Sequence, residues 1–479
     1  MKRSKPYLRE YTTLKAGKYI MRLEDAKLKL SLLEAIGVLA ILFLIIATGI
    51  IHYGLAPHIP IIAAILFLFV YGKIKKLPFS IMEAAIVKGA GTGMGAIYIF
   101  FFIGMLISIW MASGTIPTIM YYGFDWISGE YFYAITFLVC SLIGLCIGSS
   151  LTTSATIGVA LIGMAAAMDL SLAITAGAII SGAFLGDKMS PLSDSTNLAS
   201  GTVGAPLFEH INNMLWTTIP GFLISLIIFY FLSPNVKVAR VEEIEAMTKA
   251  LEMETNISIW SLIPFVIVLI MALKKVSAIP TLSAGIISAA IIAFIQTPNL
   301  TVAKLADILY GGFVLKSGMD QLDSILSRGG IESMMFSVSM VLLALAMGGL
   351  LFELGVIPSI LNAVQDSLTS VAKVISATVF AGISVNFLVG EQYLSVILPG
   401  KAFQQKYEDL GLQPKTLARV LEDAGTVVNP LVPWGVCGVF LTQVLGVSTL
   451  EYAPFAFFCL LCPLLSLISG FTKIGIHYK

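Results

Sequence analysis

Long apolar runs separated by short polar stretches dominate the chain. Runs such as EAIGVLAILFLIIATGIIHYG and TTIPGFLISLIIFYFL approach the roughly 20 residues that a helix needs to cross a bilayer. Alternating ten-residue strands, which are typical of membrane β-barrels, are not seen, so the pattern predicts an all-α polytopic membrane protein. We expect spanning segments near residues 32–51, 57–72, 95–112, 131–147, 151–168, 171–204, 214–232, 257–273, 279–296, 334–353, 375–398, 417–446 and 453–472.

The segment 171–204 is interrupted by the polar stretch GDKMSPLSDSTN at residues 186–197. Gly186 is predicted to end one half-helix, and Ser190 followed by Pro191 is predicted to start the next as N-cap and first helical residue. Non-helical backbone at bilayer depth is tolerated only where it is buried in protein or lines a cavity. An extramembrane loop is the alternative, but the apolar flanks on both sides favour a helix broken within the membrane.

A weak internal repeat relates the two halves of the chain. KGAGTGM at 88 matches RGGIESM at 328, GTIPTIM at 114 matches GVIPSIL at 355, GSSLTT at 148 matches GEQYLS at 390, and SPLSD at 190 matches NPLVP at 429. The four matches keep their order at nearly constant offset, as in transporters built from repeats. We therefore predict a first repeat over 31–232, a polar linker over 233–256 and a second repeat over 257–479.

The second half repeats the helix break in the stretch EDAGTVVNPLVPWG, within the predicted segment 417–446. Asn429 takes the place of Ser190 there, and asparagine is as good an N-cap as serine. Asp187 and Asp194 have no acidic counterpart at the matched positions. We expect both breaks to shape a cavity and the first break to supply its acids.

Basic residues indicate how the chain is oriented. Nine Lys and Arg lie between Lys2 and Lys29, and we interpret residues 1–30 as a cytoplasmic segment. The same rule places the basic residues at 73–76 and at 274–275 inside, although they follow different helices of their repeats. The two repeats are therefore predicted to have inverted topology. The net charge of +1 gives no indication of a nucleic-acid partner.

The first break is rich in hard oxygen ligands, which suit Na⁺ better than a soft metal. Burial favours the neutral form of a carboxylate and a bound cation favours the charged form, so Na⁺ and H⁺ compete for such a group. We predict Na⁺ ligands at Asp187, Asp194, Thr196 and Asn197. Further candidates for the ion or substrate site are Ser190, Ser193, Ser195, Thr152, Thr153, Glu391 and Asn429.

The proton carriers are expected among Asp187, Asp194 and Glu391, because an ionisable residue inside a membrane segment is a functional candidate by default. Thr152 and Thr153 have a second interpretation, since threonines in membrane helices commonly bond their own backbone or tighten helix contacts.

Other charged residues near the breaks allow two interpretations each. Lys188 either neutralises an aspartate as a structural pair or moves onto it when the cation leaves. Glu422 and Asp423 either face the cavity or close a loop with Arg419.

The sequence does not indicate an enzyme. A nucleophile with a neighbouring base, or a metal-binding histidine cluster, is not found among the four scattered histidines. All five cysteines lie in apolar segments, so neither a disulfide framework nor a soluble zinc site is indicated. No cofactor is expected beyond the transported Na⁺ and H⁺.

SGAFLGDKMSPLSDSTNLAS at 181–200, ASGTIPTIMYYG at 112–123 and LSRGGIESM at 326–334 closely resemble the NhaC family of bacterial Na⁺/H⁺ antiporters. Within that family the likeness is nearest to the sodium-coupled malate/lactate antiporters, although the sequence around Glu391 differs from that branch. The resemblance implies inverted repeats, elevator-like movement of one domain and exchange of Na⁺ for H⁺.

These observations together predict a multi-pass antiporter of the plasma membrane with a cytoplasmic N-terminus. The expected partners are the lipid bilayer, Na⁺ and H⁺, and a homodimer is compatible with the sequence. The alternative function is Na⁺- or H⁺-coupled exchange of small organic anions, of the malate/lactate type, or of amino acids. A helix N-terminus at either break would then bind the carboxylate.

Overall fold

The computed structural model describes residues 28–126, 130–234, 241–365 and 368–479. Most of the predicted cytoplasmic segment, residues 1–27, therefore lies outside the described residues. All regular secondary structure of the described part is helical, apart from one isolated β-bridge between Leu412 and Tyr478. The predicted all-α class is confirmed.

The first half contains ten helices in its described residues. They are α1 (Leu32–Ala47, extended to His52 by a π-helical turn), α2 (His58–Ile74), α3 (Phe79–Thr92), α4 (Met94–Ala112), α5 (Thr115–Trp126), α6 (Phe132–Ile147), α7 (Ser150–Ala167), α8 (Leu172–Met189), α9 (Asp194–Val203) and α10 (Leu207–Leu232). Helix α7 contains a π-helical turn at Ser154–Gly158.

The second half begins with α11 (Val241–Glu254), which lies in the stretch predicted as a linker. It continues with α12 (Ile263–Leu273), α13 (Ala278–Gln296), α14 (Val302–Gly311), α15 (Asp320–Leu326), α16 (Ile331–Glu353), α17 (Val356–Gln365), α18 (Val371–Val389), α19 (Gln392–Asp409), α20 (Pro414–Leu421), α21 (Val436–Leu445), α22 (Thr449–Tyr452) and α23 (Phe457–Thr472). A π-helical turn (Glu422–Thr426) and a 3-10 turn (Asn429–Leu431) follow α20.

Eight helices among the described residues are long and apolar enough to cross a membrane, and bent helix pairs raise the number to as many as eleven. The pair Pro414–Leu431 and Val436–Leu445 bends by 45° at its break. The expected span over 375–398 is wrong, because α18 ends at Val389 and α19 starts at Gln392. Gly390, at a positive φ of 75°, turns the chain between them.

Most helix ends repeat at an offset of 242 residues from the end of α6 onward. Thus α7 starts at Ser150 and α19 at Gln392, while α9 starts at Asp194 and α21 at Val436. Left-handed glycines recur at the same offset, at Gly148 and Gly390 and at Gly204 and Gly446. This register corrects the sequence match at the breaks, because it pairs Asn429 with Asp187 instead of Ser190.

The first break lies three residues later than the sequence predicted. Helix α8 continues past Gly186 to Met189, and Ser190 is its C-cap in an extended conformation. The second half-helix starts at Asp194 with Ser193 as N-cap, whose hydroxyl accepts from the Thr196 N–H. Ser193 replaces the predicted Ser190 because its position lets the hydroxyl reach the third residue of the new helix.

Asn429 also differs from its predicted role as an N-cap preceding Pro430. These two residues form a 3-10 turn, and α21 starts only at Val436. The Asn429 side chain nevertheless satisfies that helix start from a distance, since its Oδ1 accepts from the Cys437 N–H at 2.9 Å. Gly435, the residue before α21, has no side chain that could accept this bond, so the Asn429 side chain serves as the cap instead.

The two halves pack against each other reciprocally. Helices α2 and α3 of the first half lie against α16 of the second, and α13 and α14 of the second lie against α4 of the first. Helices α4 and α16 occupy equivalent places in the two repeats. These reciprocal contacts are those of two halves related by a twofold axis, as expected for two structural repeats, and the inverted topology stays a prediction.

Small residues bring α6 and α8 into backbone contact. Gly182 and Gly186 form a GxxxG pattern on α8, and Gly144 lies opposite on α6. A Cβ atom on Gly186 would lie 2.4 Å from the backbone of Gly144 and Leu145. Close approach of this kind is the usual way in which membrane helices associate. This contact holds the C-terminal end of α8 against α6, and it therefore positions the first break.

We expect Gly186→Ala to destabilise the protein by about 1–3 kcal/mol, because α6 must move away from the new methyl group. Thermal unfolding in detergent measures the effect. Gly201→Ala is the matched control, since no atom lies within 4 Å of its added Cβ. Equal unfolding temperatures for the two variants would contradict this account of the α6–α8 contact.

Candidate functional site

A cavity of about 380 Å³ lies against the first break. Its inner wall comes from the turn between α6 and α7 and from the loop between α8 and α9. Its rim includes Lys275 and Ser277, exposed residues of the connection between α12 and α13. Among the lining residues that carry oxygen ligands are Ser149, Ser150, Thr152, Asp187, Asp194 and Ser195.

Asp187 is the buried acid of this cavity, with a relative exposure of 6%. Its Oδ2 accepts two hydrogen bonds from Ser150, from the backbone N–H at 3.1 Å and from the hydroxyl at 2.7 Å. The carboxylate thereby caps the start of α7, where the backbone N–H groups and the helix dipole favour negative charge. Asp187 lies at the end of one helix and at the start of another, facing the cavity.

The hydroxyls of Ser193 and Ser195 connect this break to the second repeat. The Ser193 hydroxyl lies beside the Asp187 carboxylate and 3.0 Å from Ser195 Oγ. Ser195 donates to Glu422 Oε1 at 2.8 Å. Glu422 is fully buried, and its other oxygen, Oε2, makes no hydrogen bond to the described residues.

Lys188 forms a buried ion pair with Asp423, a residue of the π-helical turn after α20. Both side chains have zero exposure. Thr217 accepts from Lys188 at 3.2 Å, and Ser466 donates to the second Asp423 oxygen at 2.6 Å. Lys188 thus takes its counter-charge from the other repeat. Removing one partner of a buried pair costs about 3–5 kcal/mol, because it leaves an uncompensated charge.

The remaining candidates of the first break have different surroundings. Asp194 is exposed and lines the cavity. Ser190 is buried and its hydroxyl accepts from the Leu192 N–H at 3.3 Å. Thr196 Oγ1 donates to the Lys188 carbonyl at 2.9 Å, and Asn197 Nδ2 donates to the carbonyls of Ser193 and Pro191. Thr196 and Asn197 therefore hold the broken backbone in shape.

Thr152 and Thr153 point to different environments. Thr152 lines the cavity. Thr153 Oγ1 donates to the Ser149 carbonyl four residues earlier, at 2.8 Å. Such bonds to the preceding turn are the structural role that threonine commonly has in membrane helices.

Glu391 and Asn429 lie in the second repeat near the same region. Glu391 is 5% exposed, and its Oε2 accepts from the Leu394 N–H at 2.8 Å, so the carboxylate caps α19. Asn429 donates to Asn386 Oδ1 at 2.8 Å. Asn386 in turn donates to the carbonyls of Ala424 and Gly425, which the π-helical turn leaves free.

Three positions of the candidate site were missed or left open in the sequence analysis. Ser150 stands at the start of α7 in GSSLTT, and only the fold reveals that Asp187 accepts from it. Asn386 lies within an apolar run, where an amide side chain was the available signal, and the structure buries it completely. Glu422 allowed two interpretations, and the predicted loop with Arg419 does not form, because Arg419 bonds instead to Ser469 and to the Gly475 carbonyl.

The arrangement offers one buried carboxylate, several hydroxyls and no soft ligand on the cavity wall. Within the described ranges no three His, Cys, Asp or Glu side chains are grouped as a metal centre. A cation at Asp187 would be bound by a mixture of carboxylate, hydroxyl and water oxygens, as suits a weakly held monovalent ion. A proton can occupy the same carboxylate instead.

Comparisons with known proteins place the chain among transporters. The sequence model of the Na⁺/H⁺ antiporter family matches residues 9–196 and 182–474. The chain is 41% identical over 438 residues to a Na⁺/H⁺ antiporter NhaC of Alkalihalophilus pseudofirmus, covering 91% of this chain and 95% of the relative. It is 39% identical over 451 residues to a Na⁺/H⁺ antiporter NhaC of Bacillus subtilis, covering 94% and 100%.

A third relative is the malate-2H⁺/Na⁺-lactate antiporter of Bacillus subtilis, with 34% identity over 399 residues that cover 83% of this chain and 85% of the relative. Identity to the two NhaC proteins is therefore higher than identity to this organic-anion exchanger. The family match extends over both repeats and both broken helices. The chain belongs to the Na⁺/H⁺ antiporter family.

Proposed function

We propose that the protein exchanges Na⁺ for H⁺ across the cell membrane, with Asp187 as the residue for which the two ions compete. The single observation that carries this proposal is a buried carboxylate on the wall of a cavity, at a break between two half-helices. Lys188 does not neutralise Asp187, because its charge is paired with Asp423. A cation or a proton can therefore supply the missing positive charge.

Alternating access completes the proposed cycle. The cavity is lined on one side by α8, α9 and the start of α7, and on the other by α4 and the connection between α12 and α13. Movement of the first group against the second, as in an elevator, would carry Asp187 from one face to the other. If the basic connection at Lys274 and Lys275 is cytoplasmic, the cavity opens inward. We place the N-terminus on that same side, and a homodimer stays a prediction.

An organic-anion exchanger is the second candidate, because one relative is named for malate and lactate. Lys275 at the cavity rim could attract an anion. The helix starts at the breaks are less suited to one, since Asp187 accepts from Ser150 N–H, Ser193 from Thr196 N–H and Asn429 from Cys437 N–H. The geometry favours the cation.

We expect Asp187→Asn to abolish Na⁺-driven proton movement, because an amide can neither carry the proton nor neutralise Na⁺. Proteoliposomes that contain a pH-sensitive dye, with an imposed Na⁺ gradient, measure the loss. Glu451→Gln is the control, since Glu451 is an exposed acid outside the cavity. Full activity of Asp187→Asn would exclude Asp187 as the shared residue.

Competition of Na⁺ and H⁺ for one carboxylate also determines how the apparent KM for Na⁺ depends on pH. Lowering the pH protonates Asp187, so the apparent KM for Na⁺ should rise with unchanged maximal rate. In the acidic limit the rise is about tenfold per pH unit for each proton that the bound Na⁺ displaces. Initial rates at several pH values test this, and a KM that is independent of pH, with a falling maximal rate, would contradict the competition.

A substrate panel separates the two candidate functions. We expect a Na⁺ gradient to drive proton movement in liposomes without any organic acid present. We also expect no uptake of radiolabelled malate, lactate or amino acids above that of empty liposomes. Proton movement that required one of these solutes would support the organic-anion exchanger instead.

A further inference from the structure

Glu422 is a buried acid that takes no part in the proposed competition of Na⁺ and H⁺ at Asp187. It lies in the π-helical turn after α20 with zero exposure. One oxygen accepts from Ser195, whereas Oε2 and the nearby Thr426 hydroxyl make no hydrogen bond within the described residues. An ionised carboxylate that is buried with an unused oxygen is costly unless it is paired or takes up a proton.

Lys188, the positive charge that acts on Glu422, is already paired with another acid. Asp187 and Lys188, both on α8, act electrostatically on Glu422. Lys188 is held by Asp423, the neighbour of Glu422 in the chain. Glu422 and Asp187 are therefore two acids in one buried region without a cation of their own, and such a pair favours sharing protons over double ionisation.

A line of side-chain oxygens leads from Glu422 towards Asp187. Ser195 donates to Glu422 Oε1 at 2.8 Å, and its Oγ lies 3.0 Å from Ser193 Oγ. The Ser193 hydroxyl in turn lies beside the Asp187 carboxylate. Each serine hydroxyl can donate one hydrogen bond and accept another, as a proton relay requires. All four side chains are nearly or fully buried, with at most 6% exposure.

We propose that Glu422 is a second proton-binding residue of the transport cycle, connected to Asp187 by the hydroxyls of Ser193 and Ser195. This inference rests on the proposed Na⁺/H⁺ exchange and deepens it. When Na⁺ binds the Asp187 carboxylate, the site gives up its own proton and also the proton of Glu422. Two protons then exchange for one Na⁺.

The transfer between the acids balances atom by atom. The Glu422 O–H bond breaks and its proton passes to Ser195 Oγ. Ser195 gives its own proton to Ser193 Oγ, and Ser193 gives its own to the Asp187 carboxylate. Glu422 is left as the carboxylate, Asp187 becomes the acid that releases the proton to the cavity, and both serines keep one hydrogen. Rotation of the two hydroxyls resets the relay.

The number of protons exchanged per Na⁺ tests the proposal. In proteoliposomes with the membrane potential clamped to zero, a tenfold Na⁺ gradient is balanced by a pH difference that depends on this number. With two protons per Na⁺, net transport stops at a pH difference of about half a unit across the membrane. With one proton per Na⁺, it stops at about one unit. We expect the lower value for the wild type and the higher value for Glu422→Gln.

Variants of Ser195 test the hydroxyl relay independently of the Glu422 carboxyl group. Ser195→Ala removes the relay without removing Glu422, so we expect a balance at one pH unit. Ser195→Thr restores a hydroxyl and should return the balance to half a unit. Ser200→Ala is the matched control, because Ser200 is a buried serine of the same helix that donates only to the Asn197 carbonyl.

Exchange of radioactive Na⁺ for unlabelled Na⁺ at equal pH checks that each variant still folds and transports. We expect this exchange to persist in Glu422→Gln, since Glu422 does not line the cavity. Loss of Na⁺–Na⁺ exchange in Glu422→Gln, or an unchanged balance point in that variant, would overturn the proton role of Glu422. Failure of the proposed function has a different signature, since the wild type itself would then move no protons in response to Na⁺.

Discussion

The structure depends on how buried backbone groups are satisfied where helices break inside the membrane. Lipid cannot bond the N–H groups that each new helix start leaves free. At four such starts a side chain accepts from these groups, namely Asp187 for α7, Ser193 for α9, Glu391 for α19 and Asn429 for α21. The residues that build the breaks are thus the polar residues of the site, and neither role can be removed without disturbing the other.

This double role gives Asp187 its chemistry. The carboxylate accepts from the Ser150 N–H and hydroxyl, which holds it at the cavity wall. A preorganised ligand spends little entropy when it binds an ion. Lys188, one residue later, points to the opposite repeat and pairs with Asp423. The pair couples α8 to the second half, and it keeps Lys188 from neutralising Asp187.

The sequence predicted the breaks themselves well but not their boundaries or partners. Polar and small residues within apolar runs, as at 186–197, are a local signal and are readable without a fold. The cap position is decided by reach, so only the folded turn distinguishes Ser193 from Ser190. The ion pair of Lys188 and the bond of Ser195 to Glu422 join residues more than 220 positions apart. No local pattern records such contacts.

The repeat explains why the proposed Na⁺ site belongs to the first break and has no counterpart at Asn429. In the register that the helix ends establish, Asp187 in the first repeat corresponds to Asn429 in the second. Both side chains accept from a backbone N–H at a helix start, and so both support the broken fold. Only the carboxylate can change charge, because an amide neither ionises nor takes up a proton at neutral pH. Equivalent backbones permit two related conformations, and at this pair of positions the first repeat alone has a carboxylate that a Na⁺ ion or a proton could neutralise.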